Sequence, residues 1–182
     1  MNEIKQFYIM CGIPGSGKST FAKKITEIYE KHNISIETVS RDEIRFSLIK
    51  PGEDYFSKEK EVFSIYIENL KKSLNNNNIT IADATHLNFA SRKKLLTPLV
   101  KDLKNVDIFL VKMETSLETA LERNEKRKGT DRYVPRGVIR RMYFSMDEPQ
   151  KEEGFNIVPV KEKRRRINNA LSSNEFPKTI CL

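Results

Sequence analysis

The sequence predicts a three-layer α/β fold, a parallel sheet of about five strands with helices on both faces. Three observations carry that expectation. Short apolar runs alternate with longer segments of helical periodicity up to about residue 160, the order that a parallel sheet with crossover helices leaves in a chain. The first run, Phe7-Tyr8-Ile9-Met10-Cys11, is continuously apolar, as a strand covered on both faces must be. A glycine-rich loop, GIPGSGKST, joins that run to a segment of helical spacing.

The elements follow in chain order. Phe21, Ile25, Ile28 and Tyr29 recur at helical spacing after the loop. A second strand is expected at about 36–40, ending at SRD. Residues 57–74 read as a helix with Ser57 as its cap and Val62, Ile65, Tyr66, Leu70 and Leu74 on one face. Asn75 to Asn78 is a polar turn, and Ile79 to Ala82 a third strand ending at Asp83. Asn88 caps a helix expected over 89–104, which Pro98 should bend or divide. A fourth strand spans about 106–111. Thr115-Ser116-Leu117-Glu118 has the spacing of a capping box opening a helix from about 116 to 126. Pro135 starts another helix to about 146, and a last strand lies at about 156–160. Residues 1–160 are expected to form one domain and 161–182 a basic tail, with one short helix around 167–171.

The composition bounds the partners. The chain has 182 residues, a formal net charge of +8, 38% hydrophobic and 32% charged residues. Residues 161–182 hold six basic and two acidic side chains, half of the net charge, so the body is only mildly basic. A polyanionic partner fits that balance, and the KRRR run of the tail would add salt-sensitive attraction to a nucleic-acid backbone. The two cysteines, Cys11 and Cys181, lie near opposite ends. Cys11 sits in an apolar run and should be buried, so a reducing compartment is expected rather than a disulfide framework. No apolar run is long enough to span a membrane, and a cytoplasmic protein is expected.

Gly12 to Ser19 matches G-x-x-x-x-G-K-[ST]. The glycines Gly12, Gly15 and Gly17 let the backbone turn so that successive N–H groups, those of Ser16 and Thr20 among them, cradle phosphate oxygens at a helix N-terminus. Lys18 reaches the β- and γ-phosphates, and the Ser19 hydroxyl ligates Mg²⁺. The expected ligands are therefore ATP and Mg²⁺. In α/β sheets the ligand lies beyond the carboxyl ends of the strands, so Asp42 and Asp83 should face the same crevice. One can hold Mg²⁺ through water and the other can take a proton from an attacking hydroxyl. Arg123 and Arg127, four apart before a basic glycine-containing loop, share a helix face if the helix persists. They suit a phosphate lid, although a solvated charged face would leave the same pattern.

GIPGSGKST, SRDEIR, DATHLN, RNEKR and YVPRGVIRRMYFSM, in that order over about residues 5–160, resemble the kinase domain of phage-type polynucleotide 5′-hydroxyl kinases, within the zeta-toxin-like P-loop kinases. The resemblance implies a P-loop kinase with an arginine-bearing lid that moves the γ-phosphoryl of ATP to the 5′-hydroxyl of DNA or RNA. It implies that Asp42 is the general base. Arg45 and Arg41 would bind acceptor phosphate or fix Asp42, and Asp83 and Thr85 would line the acceptor site or orient the lid. Lys18, Arg123 and Arg127 would offset charge on the transferring group. DATHLN carries one more residue than the family's D-T-N form, with His86 where asparagine is common. No D-x-D-x-[TV] motif occurs, so no 3′-phosphatase activity is expected.

Two other functions fit the same residues: a kinase for a nucleoside, sugar or antibiotic, and a nucleotide-dependent binding module for RNA or protein with weak ATPase activity. For Asp42 the alternative to catalysis is a helix cap or ion pair. His86 reads as a polar loop residue. Tyr133, Tyr143 and Phe144 have the chemistry to stack on a base, although the spacing favours Phe144 as a packing residue.

Overall fold

The computed structural model describes residues 5–50 and 52–161. Most of the basic tail, with the KRRR run, the helix expected around 167–171 and Cys181, lies outside the described residues. Five strands, β1 (Lys5–Cys11), β2 (Ile36–Ser40), β3 (Ile79–Asp83), β4 (Val106–Glu114) and β5 (Asn156–Lys161), pair in parallel in the order β2-β3-β1-β4-β5. The predicted α/β class therefore holds. β1 is central, and the order runs outward from it in both directions, which puts the loop after β1 at the switch point where such sheets bind ligands. In the β2–β3 register Ser40 stands opposite Asp83, so the two strand-end carboxylates predicted to share a crevice start from neighbouring positions.

Six α-helices are described: α1 (Lys18–Lys31), α2 (Arg41–Leu48), α3 (Glu59–Asn76), α4 (Phe89–Leu96), α5 (Leu117–Glu125) and α6 (Arg136–Phe144). Alternate residues of β1 point to opposite faces. Phe7, Ile9 and Cys11 pack with Tyr66, Leu70 and Leu74 of α3 and Leu95 of α4. Tyr8 and Met10 pack with Ala22, Ile25 and Tyr29 of α1. Cys11 is buried as expected, and burial pushes its thiol up to about 11. A third apolar group, Ile13, Leu87, Ala120, Leu121 and Ile139, seats α5 and α6 against the loop after β1. Among the described residues no helix is long and apolar enough to cross a membrane.

Several boundaries move for local reasons. The helix after Asn88 stops at Leu96, and Thr97–Leu99 is a 3₁₀ turn, because Pro98 has no N–H to continue the ladder. Asn88 does cap it, in a reciprocal box with Ser91. α3 begins at Glu59 without a side-chain cap, and the Ser57 N–H closes a turn onto the Asp54 carbonyl at 3.0 Å. The cap of α5 is Ser116, whose hydroxyl accepts from the Thr119 N–H at 3.2 Å. Thr115 instead donates to the Ser16 carbonyl at 3.0 Å, so the expected box does not form. β4 continues to Glu114. Phe144, expected to pack, is 78% exposed, since α6 turns Ile139 and part of Met142 inward.

Nothing in the sequence singles out Arg92, yet it is completely buried. Its Nε and Nη2 hold Glu153 at 2.7 and 2.8 Å, and Nη2 also reaches Asp147 at 2.6 Å. Asp147 in turn accepts the Phe89 N–H with both oxygens. The segment after α6 is thereby pinned to the start of α4.

Candidate active site

The loop Gly12–Ser19 is built into its surroundings at both ends. The Gly12 N–H donates to the Thr85 carbonyl at 3.0 Å, which ties it to the loop after β3. Gly15 has φ +84, and a Cβ there would stand 2.4 Å from the Ala120 carbonyl oxygen of α5. Neither the left-handed backbone nor the contact admits a side chain. Gly15→Ala is expected to cost about 2 kcal/mol and to abolish ATP binding, read by thermal melting and titration with ATP. Gly17, with φ +95, is the residue from which α1 begins. Ser16 is buried, and Thr20 lies exposed in the first turn of α1.

Lys18 Nζ donates to the Ile13 carbonyl at 3.0 Å. Burial pushes its ammonium pKa down, Asp83 and Asp42 push it back up, and Arg127 pushes it down again. Asp83, Asp42 and Arg127 therefore each lie within electrostatic reach of Lys18. The Ser19 hydroxyl donates to Asp83 Oδ2 at 2.8 Å. Burial raises the Asp83 carboxyl pKa, and Lys18 and Ser19 oppose that. A hydroxyl and a carboxylate side by side at the head of a phosphate loop form an oxygen donor set that fits Mg²⁺, which takes one or two carboxylates, waters and phosphates.

Asp42 occupies the second position of α2. The cap is Ser40, whose hydroxyl accepts from the Glu43 N–H, so Asp42 is not held by capping. Its side chain is 68% exposed. Oδ1 accepts from Arg45 Nη1 at 2.7 Å and from the Tyr55 hydroxyl at 2.9 Å, and Oδ2 has no hydrogen-bond partner among the described residues. Arg45 is buried. Its Nη2 reaches Glu59 at 2.7 Å, and its guanidinium lies 4.4 Å from the Tyr55 ring centre. Arg41 pairs with the other oxygen of Glu59. One carboxylate from α3 thus bridges both arginines, and Arg45 fixes Asp42. Burial, then the Asp42 charge, pushes the Tyr55 phenol up to about 12, so it stays a donor at neutral pH. Nothing in the sequence marks Tyr55 or Glu59 as a site residue.

Thr85 contributes its carbonyl to the loop, and its side chain is half-buried. His86 has φ +41, and its Nδ1–H donates to the Met10 carbonyl at 2.8 Å. Burial holds its pKa down to about 4, so it is a buried, neutral residue of the loop after β3. Arg123 projects from α5 with Nη1 3.9 Å from where a Cβ on Gly17 would stand. α5 ends at Glu125, so Arg127 lies in the following turn, its N–H on the Asn124 carbonyl at 2.9 Å. The two arginines therefore do not share a helix face. Asn124, likewise unmarked, is buried and clamps Val134 through both backbone groups at 2.7 and 3.0 Å. It closes 125–133 into a basic loop.

Residues 7–149 match the model of the AAA domain family (AAA_33). The chain is 33% identical over 138 residues to an Autographa californica nuclear polyhedrosis virus protein described as a bifunctional polynucleotide kinase/RNA ligase, a match covering 68% of this chain and 18% of that protein. It is 29% identical over 155 residues to the L-seryl-tRNA(Sec) kinase of Methanococcus maripaludis, covering 84% of this chain and 56% of that one. The chain thus spans little more than half the length of the second relative and less than a fifth of the first. Among solved structures, Chaetomium thermophilum Kti12 in complex with ADP-AlF3 superposes with a TM-score of 0.67 at 17% identity, covering 86% of this chain and 89% of that one. The Pnkp1/Rnl/Hen1 RNA repair complex gives 0.58 at 22%, covering 79% and 44%. These likenesses show the P-loop kinase fold.

Proposed function

The chain belongs to the AAA domain family (AAA_33), with the fold and nucleotide-binding loop of a P-loop kinase, and we propose that it transfers the γ-phosphoryl of ATP to the 5′-hydroxyl of a DNA or RNA strand in the cytoplasm. The observation that carries the proposal is the placement of Asp42. It is held on one oxygen by Arg45 and Tyr55, with its other oxygen open, within electrostatic reach of Lys18.

The acceptor hydroxyl attacks the γ-phosphorus in line with the departing ADP oxygen, and Asp42 Oδ2 takes its proton. The loop N–H groups and Lys18 hold the triphosphate. Lys18, Arg123 and Arg127 offset the charge on the transferring group. Ser19, with Asp83 through water, would hold Mg²⁺, which neutralises phosphate charge when bound. Arg41 and Thr85 border the acceptor, and Arg45 orients the base.

The names of these two relatives place their acceptors on nucleic acid, which supports a polynucleotide over a small molecule. The similarity to L-seryl-tRNA(Sec) kinase over 84% of the chain favours a second reading, an aminoacyl-tRNA hydroxyl. One assay separates them: γ-labelled ATP and Mg²⁺ with 5′-hydroxyl DNA and RNA oligonucleotides, seryl-tRNA, and a panel of nucleosides and sugars. Label on the oligonucleotide 5′ end is expected. Label on seryl-tRNA or a small molecule alone would overturn the proposal.

A further inference from the structure

The acceptor side of the site leads onto two aromatic rings, each with cations over it. Arg41, linked through Glu59 and Arg45 to Asp42, has its guanidinium 5.4 Å from the centre of the Phe63 ring of α3. Lys94 of α4 lies over the same ring at 4.4 Å. Its neighbour Lys93 lies 5.9 Å from the ring of Phe89, which is 52% exposed. Both lysines are exposed, and α4 carries no acidic residue to neutralise them.

We propose that this file, Arg41–Phe63–Lys94 and then Lys93–Phe89, is the track on which the single-stranded nucleotides behind an acceptor 5′ end lie. The inference rests on the polynucleotide reading of Asp42 and extends it to the strand. A single strand offers both phosphates and unstacked bases, and the file offers three cations beside two rings. An exposed lysine–ring contact is weaker than a base–aromatic stack. Lys93 can therefore leave the exposed Phe89 ring for a phosphate while a base takes its place, and Lys94, at the partly buried Phe63, can turn to the next phosphate. An acidic peptide would satisfy the lysines but not the rings.

The test uses the full chain with Lys93→Gln/Lys94→Gln and, separately, Phe89→Ala, all at exposed positions. Two quantities are measured: kcat/KM for a 5′-hydroxyl dinucleotide and for a strand of about twelve nucleotides, and binding of the longer strand by fluorescence anisotropy across a salt series. Transfer to the dinucleotide should be unchanged. Phe89→Ala should weaken the longer strand about tenfold. The lysine pair should lower the slope of log K against log salt by about 1.4, at about 0.7 per phosphate contact. Unchanged affinity and slope in variants that melt like the wild type would overturn the track, as would a longer strand that binds no better than the dinucleotide. If the strand binds through these positions but receives no phosphate, the kinase reading falls and the binding surface stands.

Discussion

Asp42→Asn is expected to lower phosphoryl transfer about 10²–10⁴-fold while leaving ATP affinity close to that of the wild type. The amide keeps the volume and one carbonyl oxygen, so the hydrogen bonds from Arg45 and Tyr55 at 2.7 and 2.9 Å can persist and the Glu59 bridge to both arginines is untouched. What disappears is the second carboxylate oxygen, the only one of the pair that no described residue occupies. An amide in its place cannot take the proton of an attacking hydroxyl. The effect on nucleotide binding should be small, because Asp83 counters the burial of Lys18 more strongly than Asp42 does. Single-turnover transfer from ATP and direct ATP titration measure the two quantities separately. A variant that transfers at near the wild-type rate would mean that Asp42 is an ion-pair partner of Arg45 and nothing more.

Whatever depends on contiguous residues is legible in the sequence. The phosphate loop is one run, and its mechanics follow from glycine backbone freedom and one helix N-terminus, so the order of residues alone places Gly12, Lys18 and Ser19. Asp42 and Asp83 are legible for a related reason: residues ending parallel strands share an edge of the sheet, and the Ser40–Asp83 register realises that. The ambiguity of Asp42 has no local resolution. Arg45 lies three residues away, but the groups that decide its role, Tyr55 and Glu59, stand 10 and 14 residues further along. Their approach depends on how α3 docks beside α2. Asn124 and Val134 meet across 10 residues, and nothing in either marks the other. Phe144 shows the opposite error. Its spacing suits an inward face, but α6 is one short helix whose inward row is already filled by Ile139, and the aromatic is left outside.

Arg92→Ala is expected to destabilise the fold by about 3–5 kcal/mol. The guanidinium is fully buried and makes charge-assisted bonds to two carboxylates that are 61 and 55 residues away in sequence. Removing it leaves Glu153, whose side chain is 6% exposed, with the Gln150 N–H at 2.9 Å as its remaining hydrogen bond. That is the costly case of an uncompensated buried charge. Asp147 is half-exposed and keeps the Phe89 N–H, so its share is smaller. Burial alone would raise both carboxyl pKa values, but Arg92 and the backbone N–H donors outweigh it and hold them below their ordinary range. A carboxylate depressed in the folded state stabilises the fold above its unfolded pKa and loses that contribution as pH falls through the folded value. The wild type should therefore lose stability as pH falls below about 4.5. In Arg92→Ala only the backbone donors still oppose burial, so the depression weakens, and protonating Glu153 relieves its unpaired charge. The stability gap between the two proteins should be widest near neutral pH and should narrow in acid. Denaturant melts at about pH 7 and about pH 4 measure that gap directly. A gap independent of pH would show that Arg92 acts by filling space rather than by holding the two carboxylates.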